Sequence, residues 1–262
     1  MKKFTIFGNP VSHSKSPLMH NLTFKGLKEN ANYSRTLLEN GTLLREKFKE
    51  LGLTGANITV PHKEEAFKAC DELDEFAKNV GAVNTIVQRD GKLYGYNTDA
   101  SGFLRAIRGF KEHINTILII GAGGTSKAIS VILRDEGYGV EILNRSQNRL
   151  ESFIDSGFTT YTFDTFKPKK YDLVVNSTSA GLQDENFPAP KKILEEILSM
   201  ASASVDVIYG KETPYLKLSR SLNLSTKDGS DMLLYQGVIA FMEFTNHKYS
   251  FEEIERYMRE AF

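Results

Sequence analysis

Lys63 is the side chain here whose type and setting most directly suggest proton chemistry. It closes the segment Asn57-Ile-Thr59-Val-Pro61-His-Lys63, in which Asn57 and Thr59 alternate on one face of a strand that Pro61 breaks. A lysine at a strand end can give or take a proton once burial lowers its pKa. Its ordinary fate is a surface lysine at a helix start, although the helix dipole opposes a cation there. Asp99, last in Tyr96-Asn97-Thr98-Asp99, offers a carboxylate partner, and Asn84 in Gly81-Ala-Val-Asn84-Thr85 offers an amide. Turn formation and helix capping would account for both as well. Together they supply what general acid–base chemistry needs: a held lysine and groups for a hydroxylated substrate. Ser14 and Ser16, in Ser12-His13-Ser14-Lys15-Ser16-Pro17, stand at another helix start. They can bind a carboxylate there or simply cap the helix.

A second chemistry begins at Gly121-Ala122-Gly123-Gly124, which follows the apolar run Thr116–Ile120 and precedes a helix-like stretch. Glycines at this turn let a pyrophosphate approach the backbone and the free N–H groups of a helix start. Ser126 holds the third fingerprint position in place of glycine, so the turn alone also reads as a plain strand–helix joint. The next strand, Val140–Leu143, ends in Asn144-Arg145-Ser146, with Arg149 a helical turn later. An NAD site puts an acid at that tip, whereas guanidinium forks suit the 2′-phosphate of NADP. Glu141 lies inside the strand, and solvated arginines at a helix start are the other reading. We read NADP.

Positioning these groups requires strands and helices in alternation. Strands are expected at Phe4–Gly8, Tyr33–Leu38, Ala56–Val60, Ala82–Val87 and Leu93–Tyr96, the last two joined by the hairpin signal Asp90-Gly91. Helices are expected at Leu18–Lys28, Leu43–Leu51, Lys63–Lys78 in two pieces, and Asp99–Phe110. Beyond the glycine turn come a helix at Ser126–Asp135, strands at Leu173–Val175 and Ser204–Ile208, and helices at Met232–His247 and Phe251–Phe262. Lys167–Lys170 and Gln183–Pro190 read as surface loops. This pattern means α/β, with a mostly parallel sheet carrying one antiparallel edge. A chain of 262 residues accommodates two modest domains. Lysine plus arginine equals aspartate plus glutamate, 33 against 33, so no bulk field draws nucleic acid or an anionic membrane. One cysteine, Cys70, excludes an intrachain disulfide and a thiolate zinc site, and it reads as a small buried apolar group on its helix. The five histidines show no metal-ligand spacing, and His62 reads as a rim or surface residue. No apolar run approaches the about 18 residues of a membrane span, and the N-terminus is no signal peptide, so a cytoplasmic protein is expected.

The chain resembles the shikimate dehydrogenase family over nearly its whole length. The resemblance rests on Ser14-Lys-Ser16-Pro17, Asn57–Lys63, Gly81–Thr85, Asn97-Thr98-Asp99, Gly121–Gly124 and Asn144-Arg145-Ser146. It continues through Asn176-Ser-Thr178-Ser-Ala-Gly181, Asp206-Val-Ile-Tyr209 and Gly229-Ser-Asp-Met232-Leu-Leu-Tyr-Gln236. It implies a mixed-sheet substrate domain, residues 1–99 with 234–262, and a Rossmann-like NADP-binding domain, residues 100–233. It implies reversible NADPH-dependent reduction of 3-dehydroshikimate to shikimate, with Lys63 and Asp99 as the catalytic pair. Ser14, Ser16 and Tyr209 would hold the substrate carboxylate, and Thr59, Asn84, Asp99 and Gln236 the ring hydroxyls. Gly121, Ala122, Gly123, Gly124, Asn144, Arg145, Ser146 and Arg149 would hold NADP. Thr178, Ile208, Gly229 and Met232 would flank its nicotinamide. No metal is implied, the only partners are small molecules, and the chain would act as a monomer or homodimer. Ala100, Thr125 and Ser146 depart slightly from the family pattern without moving a role. A quinate-active relative, a more distant Rossmann enzyme and a non-enzymatic NADP sensor are the competing readings; Arg145 with Arg149, the first-half motifs and the Lys63/Asp99 set stand against them in turn.

Overall fold

The computed structural model describes residues Met1–Phe262. It divides into two compact units, Met1–Gly102 with Leu234–Phe262, and Phe103–Leu233. The first opens with β1 (Lys2–Gly8), α1 (Ser16–Gly26), β2 (Ala31–Leu37), α2 (Leu44–Leu51), β3 (Gly55–Ile58) and α3 (Lys63–Ala69). It continues with β4 (Glu72–Leu73), α4 (Glu75–Val80), β5 (Thr85–Arg89), β6 (Lys92–Tyr96) and α5 (Asp99–Ile107), which runs on into the second unit. The sheet order is β2-β1-β3-β5-β6-β4. β1 pairs in parallel with β2 and β3, while β5 runs antiparallel to both β3 and β6. Asp90 and Gly91 make the hairpin with φ of 49° and 78°, the left-handed pair that a tight turn between twisted strands requires. As a consequence, the ends of β1, β3 and β6 and the start of β5 share one edge of the sheet.

The second unit contains β7 (Thr116–Ile120), α6 (Gly124–Asp135), β8 (Gly139–Leu143), α7 (Glu151–Asp155), β9 (Thr159–Tyr161) and β10 (Leu173–Asn176). It closes with α8 (Lys191–Met200), β11 (Ala203–Asp206), α9 (Pro214–Ser221) and β12 (Ser225–Lys227). All pairings are parallel, in the order β12-β11-β10-β7-β8-β9. This is the doubly wound order of a dinucleotide fold, with its reversal between β7 and β10. Ile117, Leu118, Ile119 and Ile120 are fully buried, as a central strand covered by helices on both faces demands. Each such side chain contributes about 1.5–3 kcal/mol of transfer free energy.

Two closing helices, α10 (Ser230–Phe244) and α11 (Phe251–Met258), return the chain to the first unit. There Phe241 and Phe244 join Phe4, Phe24, His20 and Tyr33 in one aromatic cluster. Ser250 caps α11 reciprocally with Glu253, which fixes where that helix begins.

Several expectations are corrected. Ala82–Asn84 is irregular loop, and the strand starts at Thr85. The backbone is needed elsewhere: Val83 N donates to Lys63 O and Asn84 N to Tyr96 O. β3 stops at Ile58, although Thr59 N still donates to Phe7 O. Helix α1 starts at Ser16, with Pro17 in its first turn, and no side chain caps it. Helix α5 stops at Ile107, α10 at Phe244 and β11 at Asp206. His62 is buried, its Nε2 bonded to Leu38 O. Cys70 is half-buried and lies one residue past α3. Pro188 and Ala189 are buried although their segment is a loop.

Candidate active site

At the shared edge of the first sheet, Lys63 opens α3 and Asp99 opens α5. Pro61 precedes the first helix and the end of β6 feeds the second, so both side chains are set at element starts. Lys63 Nζ donates to Asp99 Oδ2, and the two side chains keep 20% and 13% of their surface, enough to be reached yet largely out of water. Asp99 Oδ1 accepts from Asn84 Nδ2 at 2.8 Å. Asn84 Oδ1 in turn accepts from Thr98 N at 2.8 Å, which fixes the amide the right way round. Carboxylate, lysine and amide therefore form one held set. Ser14 and Ser16 are buried after β1, with Ser14 Oγ donating to Ser16 Oγ at 3.2 Å. The Arg35 guanidinium clamps this loop by donating to Ser14 O from both Nε and Nη2, at 3.1 and 2.5 Å. Thr59 is half-buried after β3, its methyl against Gly8. Gln236 is buried on α10.

In the second unit the loops after β7 and β10 meet where the strand order reverses. Gly121 adopts φ +115°, and a Cβ there would come within 2.9 Å of Ser177 Oγ, so the position needs glycine. A Cβ on Gly123 or Gly124 would meet nothing within 4 Å. Those two glycines thus leave open space at the start of α6. Ser126 has a part that its place in the fingerprint does not announce: its Oγ accepts from Gly123 N at 3.2 Å and bonds Ser177 Oγ at 2.7 Å, tying the two loops together. Past β8, Asn144 Nδ2 donates to Ser146 O, while Arg145 and Arg149 are exposed and have no hydrogen-bond or ion-pair partner. Glu141 is engaged inside its strand by Lys169 and the Tyr171 hydroxyl. An open glycine cradle, a helix N-terminus and two uncommitted guanidinium groups fit a dinucleotide bearing an extra phosphate.

Asp206 belongs to a motif visible in the sequence, but its use is visible only in the structure. It is buried at the end of β11, and burial pushes its carboxyl above the usual range. It accepts from Thr213 Oγ1 at 2.6 Å, Ile208 N at 3.0 Å and Asn176 Nδ2 at 3.1 Å. Asn176 Oδ1 then takes Thr178 N and Thr178 Oγ1. Thr178 and Ile208 are therefore ordered from one carboxylate. Asp206→Ala is expected to lower the thermal midpoint by several degrees, because three buried donors lose their acceptor at about 1–3 kcal/mol each; calorimetry of the two proteins checks this. Tyr209 is half-buried beyond Ile208, and burial raises its phenol. Gly229 packs so closely that a Cβ would lie 2.1 Å from Val207 O, and Met232 sits in the first turn of α10.

Comparison with known proteins places this geometry. Residues 6–86 match the family described as the shikimate dehydrogenase substrate binding domain. A shikimate dehydrogenase (NADP(+)) of Helicobacter hepaticus is 45% identical over 254 residues, covering 96% of this chain and 94% of that one. The chain belongs to the shikimate dehydrogenase family. The Helicobacter pylori relative of the same name is 39% identical and covers 100% of this chain and 99% of its own. Among solved structures, shikimate 5-dehydrogenase from Thermus thermophilus, in complex with NADP(H) and shikimate, aligns over 100% of both chains with a TM-score of 0.86 at 31% identity. The similarity runs through both units, the mixed sheet and the doubly wound sheet alike.

Proposed function

We propose that this enzyme interconverts 3-dehydroshikimate and shikimate with NADPH and NADP+. The observation that carries the reading is the Lys63–Asp99–Asn84 set at the sheet edge that also bears Ser14 and Ser16. One end of that edge offers hydroxyls to a carboxylate, and the other offers a proton donor to a ring oxygen. NADPH, when bound, supplies hydride to the ring ketone. As the carbonyl oxygen gains negative charge, the Lys63 ammonium donates a proton to it. Asp99 holds the ammonium in line, and Asn84 holds Asp99. In the oxidative direction Lys63 accepts the hydroxyl proton instead. Ser14 and Ser16 bind the carboxylate; Thr59, Asn84, Asp99 and Gln236 bind the ring hydroxyls.

NADP is held in the second unit. Gly121, Ala122, Gly123 and Gly124 take its pyrophosphate at the start of α6. Asn144, Arg145, Ser146 and Arg149 take the ribose and 2′-phosphate, and Thr178, Ile208, Gly229 and Met232 lie along the nicotinamide. The enzyme works in the cytoplasm on small molecules, as a monomer or homodimer, and no helix is long and apolar enough to cross a membrane.

The test is reduced-nicotinamide absorbance with shikimate or quinate offered together with NADP+ or NAD+. Shikimate with NADP+ is the expected best pair. Preference for quinate with NAD+ would overturn the pocket and arginine assignments, and NADP+ binding without turnover of any pair would make the protein a sensor. Arg145→Ala is expected to raise the KM for NADP+ about 10- to 100-fold, the worth of charge-assisted bonds to phosphate, and to leave that for NAD+ unchanged. Equal effects on both cofactors would remove Arg145 from the 2′-phosphate.

A further inference from the structure

A run of buried hydrogen bonds leads through the interior of the first unit to the Asp99–Lys63 pair. Tyr33, Asn57, Thr85, Asn84 and Thr98 are all buried polar side chains of the first unit. The Tyr33 hydroxyl donates to Asn57 Oδ1 at 2.6 Å. Asn57 Nδ2 donates to Thr85 Oγ1 at 3.0 Å, and its second contact, Asn84 O at 3.4 Å, can only accept, so this amide too has one allowed orientation. Having accepted from Asn57, Thr85 sends its own proton to Asn84 Oδ1 at 3.1 Å. Asn84 Nδ2 goes on to Asp99, and Asp99 takes Lys63. Every link from Tyr33 onward points toward Asp99. Bonds aligned head to tail polarise one another, and in a dry interior a broken link strands its neighbours.

We propose that Tyr33, Asn57 and Thr85 are positioning residues: a directed hydrogen-bond chain through them fixes the Asn84 amide, and so the Asp99–Lys63 pair. Of Tyr33, Asn57, Thr85 and Asn84, only Asn84 is placed on substrate; the other three act through it. The inference rests on the functional reading above for its kinetic consequence and on the hydrogen bonds alone for its structural one.

The experiment uses Thr85→Val and Tyr33→Phe, which keep shape while deleting hydroxyls, their double variant, and Thr85→Ser as the conservative control. Thr85→Val is expected to lower kcat for shikimate oxidation about fivefold, the worth of one interior hydrogen bond, with the NADP+ dissociation constant unchanged. Thr85→Ser should restore it. The double variant should lose less than the product of the single losses, because the chain is already open. Independently of any substrate, the side-chain amide ¹H–¹⁵N signals of Asn84 should move in Thr85→Val and in Tyr33→Phe and return in Thr85→Ser. Wild-type kcat in both single variants, multiplicative losses in the double, or Asn84 signals that stay in place would each overturn the chain. A wild-type protein that fails to oxidise shikimate overturns the functional reading instead, and the Asn84 signals then decide the chain by themselves.

Discussion

Lys63→Ala is expected to lower kcat for shikimate oxidation about 10³-fold, a loss of about 4 kcal/mol of transition-state stabilisation. The size follows from its place in the site. Lys63 is the one cation bonded to Asp99, and Asn84, on the other oxygen, cannot release a proton at neutral pH. Shikimate binding should persist in the variant, because Ser14, Ser16 and the hydroxyl-binding groups remain. Initial rates give kcat, and calorimetric titration of shikimate gives its dissociation constant. A loss of less than tenfold in kcat, or a loss carried wholly by shikimate affinity, would remove Lys63 from the proton step. Asp99→Asn should fall between the wild type and Lys63→Ala, since the lysine stays but its alignment does not.

The second large effect is on stability, and it concerns acid. His20 is fully buried on α1, stacked on Tyr33 with centroids 4.4 Å apart and planes at 2°, and flanked by Phe241 at 5.9 Å and Phe244 at 5.5 Å. Its Nδ1 has no hydrogen-bond partner, and burial pushes the imidazole down to about 3. In the unfolded chain the ring titrates near its ordinary value of about 6.5. Between those two values the unfolded state carries a proton that the folded state refuses, so stability falls as pH falls. Above about 6.5 neither state is protonated and the contribution is constant. The slope is about 1.4 kcal/mol per pH unit, and the full window is worth about 5 kcal/mol. Unfolding free energies from urea titration at pH 7 and pH 5 should therefore converge in His20→Phe and stay apart by about 2 kcal/mol in the wild type. Equal pH dependence in the two proteins would show that some other group sets the acid limit.

How much of the fold is legible in the sequence depends on the length and the period of each signal. The Thr116–Ile120 run is legible because a strand buried on both faces must be apolar at every position, and Asp90-Gly91 is legible because few dipeptides take two left-handed conformations cheaply. The edge strands Thr159–Tyr161 and Ser225–Lys227 carry three residues each, partly exposed, which is too few to show alternation. Helices Lys191–Met200 and Pro214–Ser221 fall outside the expected set although their signals are present: Leu194, Ile197 and Leu198 share a face, and Thr213 caps before Pro214. In the site, motif residues with polar heads stand out, but the partners they depend on do not. Tyr33 looks like an ordinary strand aromatic, and Thr85 like a β-branched filler. His62 misleads by adjacency to Lys63: the ring turns inward because Leu38 O needs a partner there. Such long-range pairings, about 14 to 28 residues apart in sequence, are created by the sheet register and leave no local trace.

The first unit is built from both ends of the chain, and this sets an order on its birth. As the polypeptide leaves the ribosome, residues 103–233 emerge as one uninterrupted stretch and can complete their sheet at once. The aromatic nucleus of the first unit must wait: Phe4, Phe24 and His20 are translated before residues 103–233, while Phe241 and Phe244 follow them. While residues 103–233 are being made, then, an apolar face of the nascent first unit stands uncovered and invites chaperones or aggregation. A stalled chain should display a finished second unit beside an unfinished first one, and only release of the last two helices should complete the first unit's aromatic cluster.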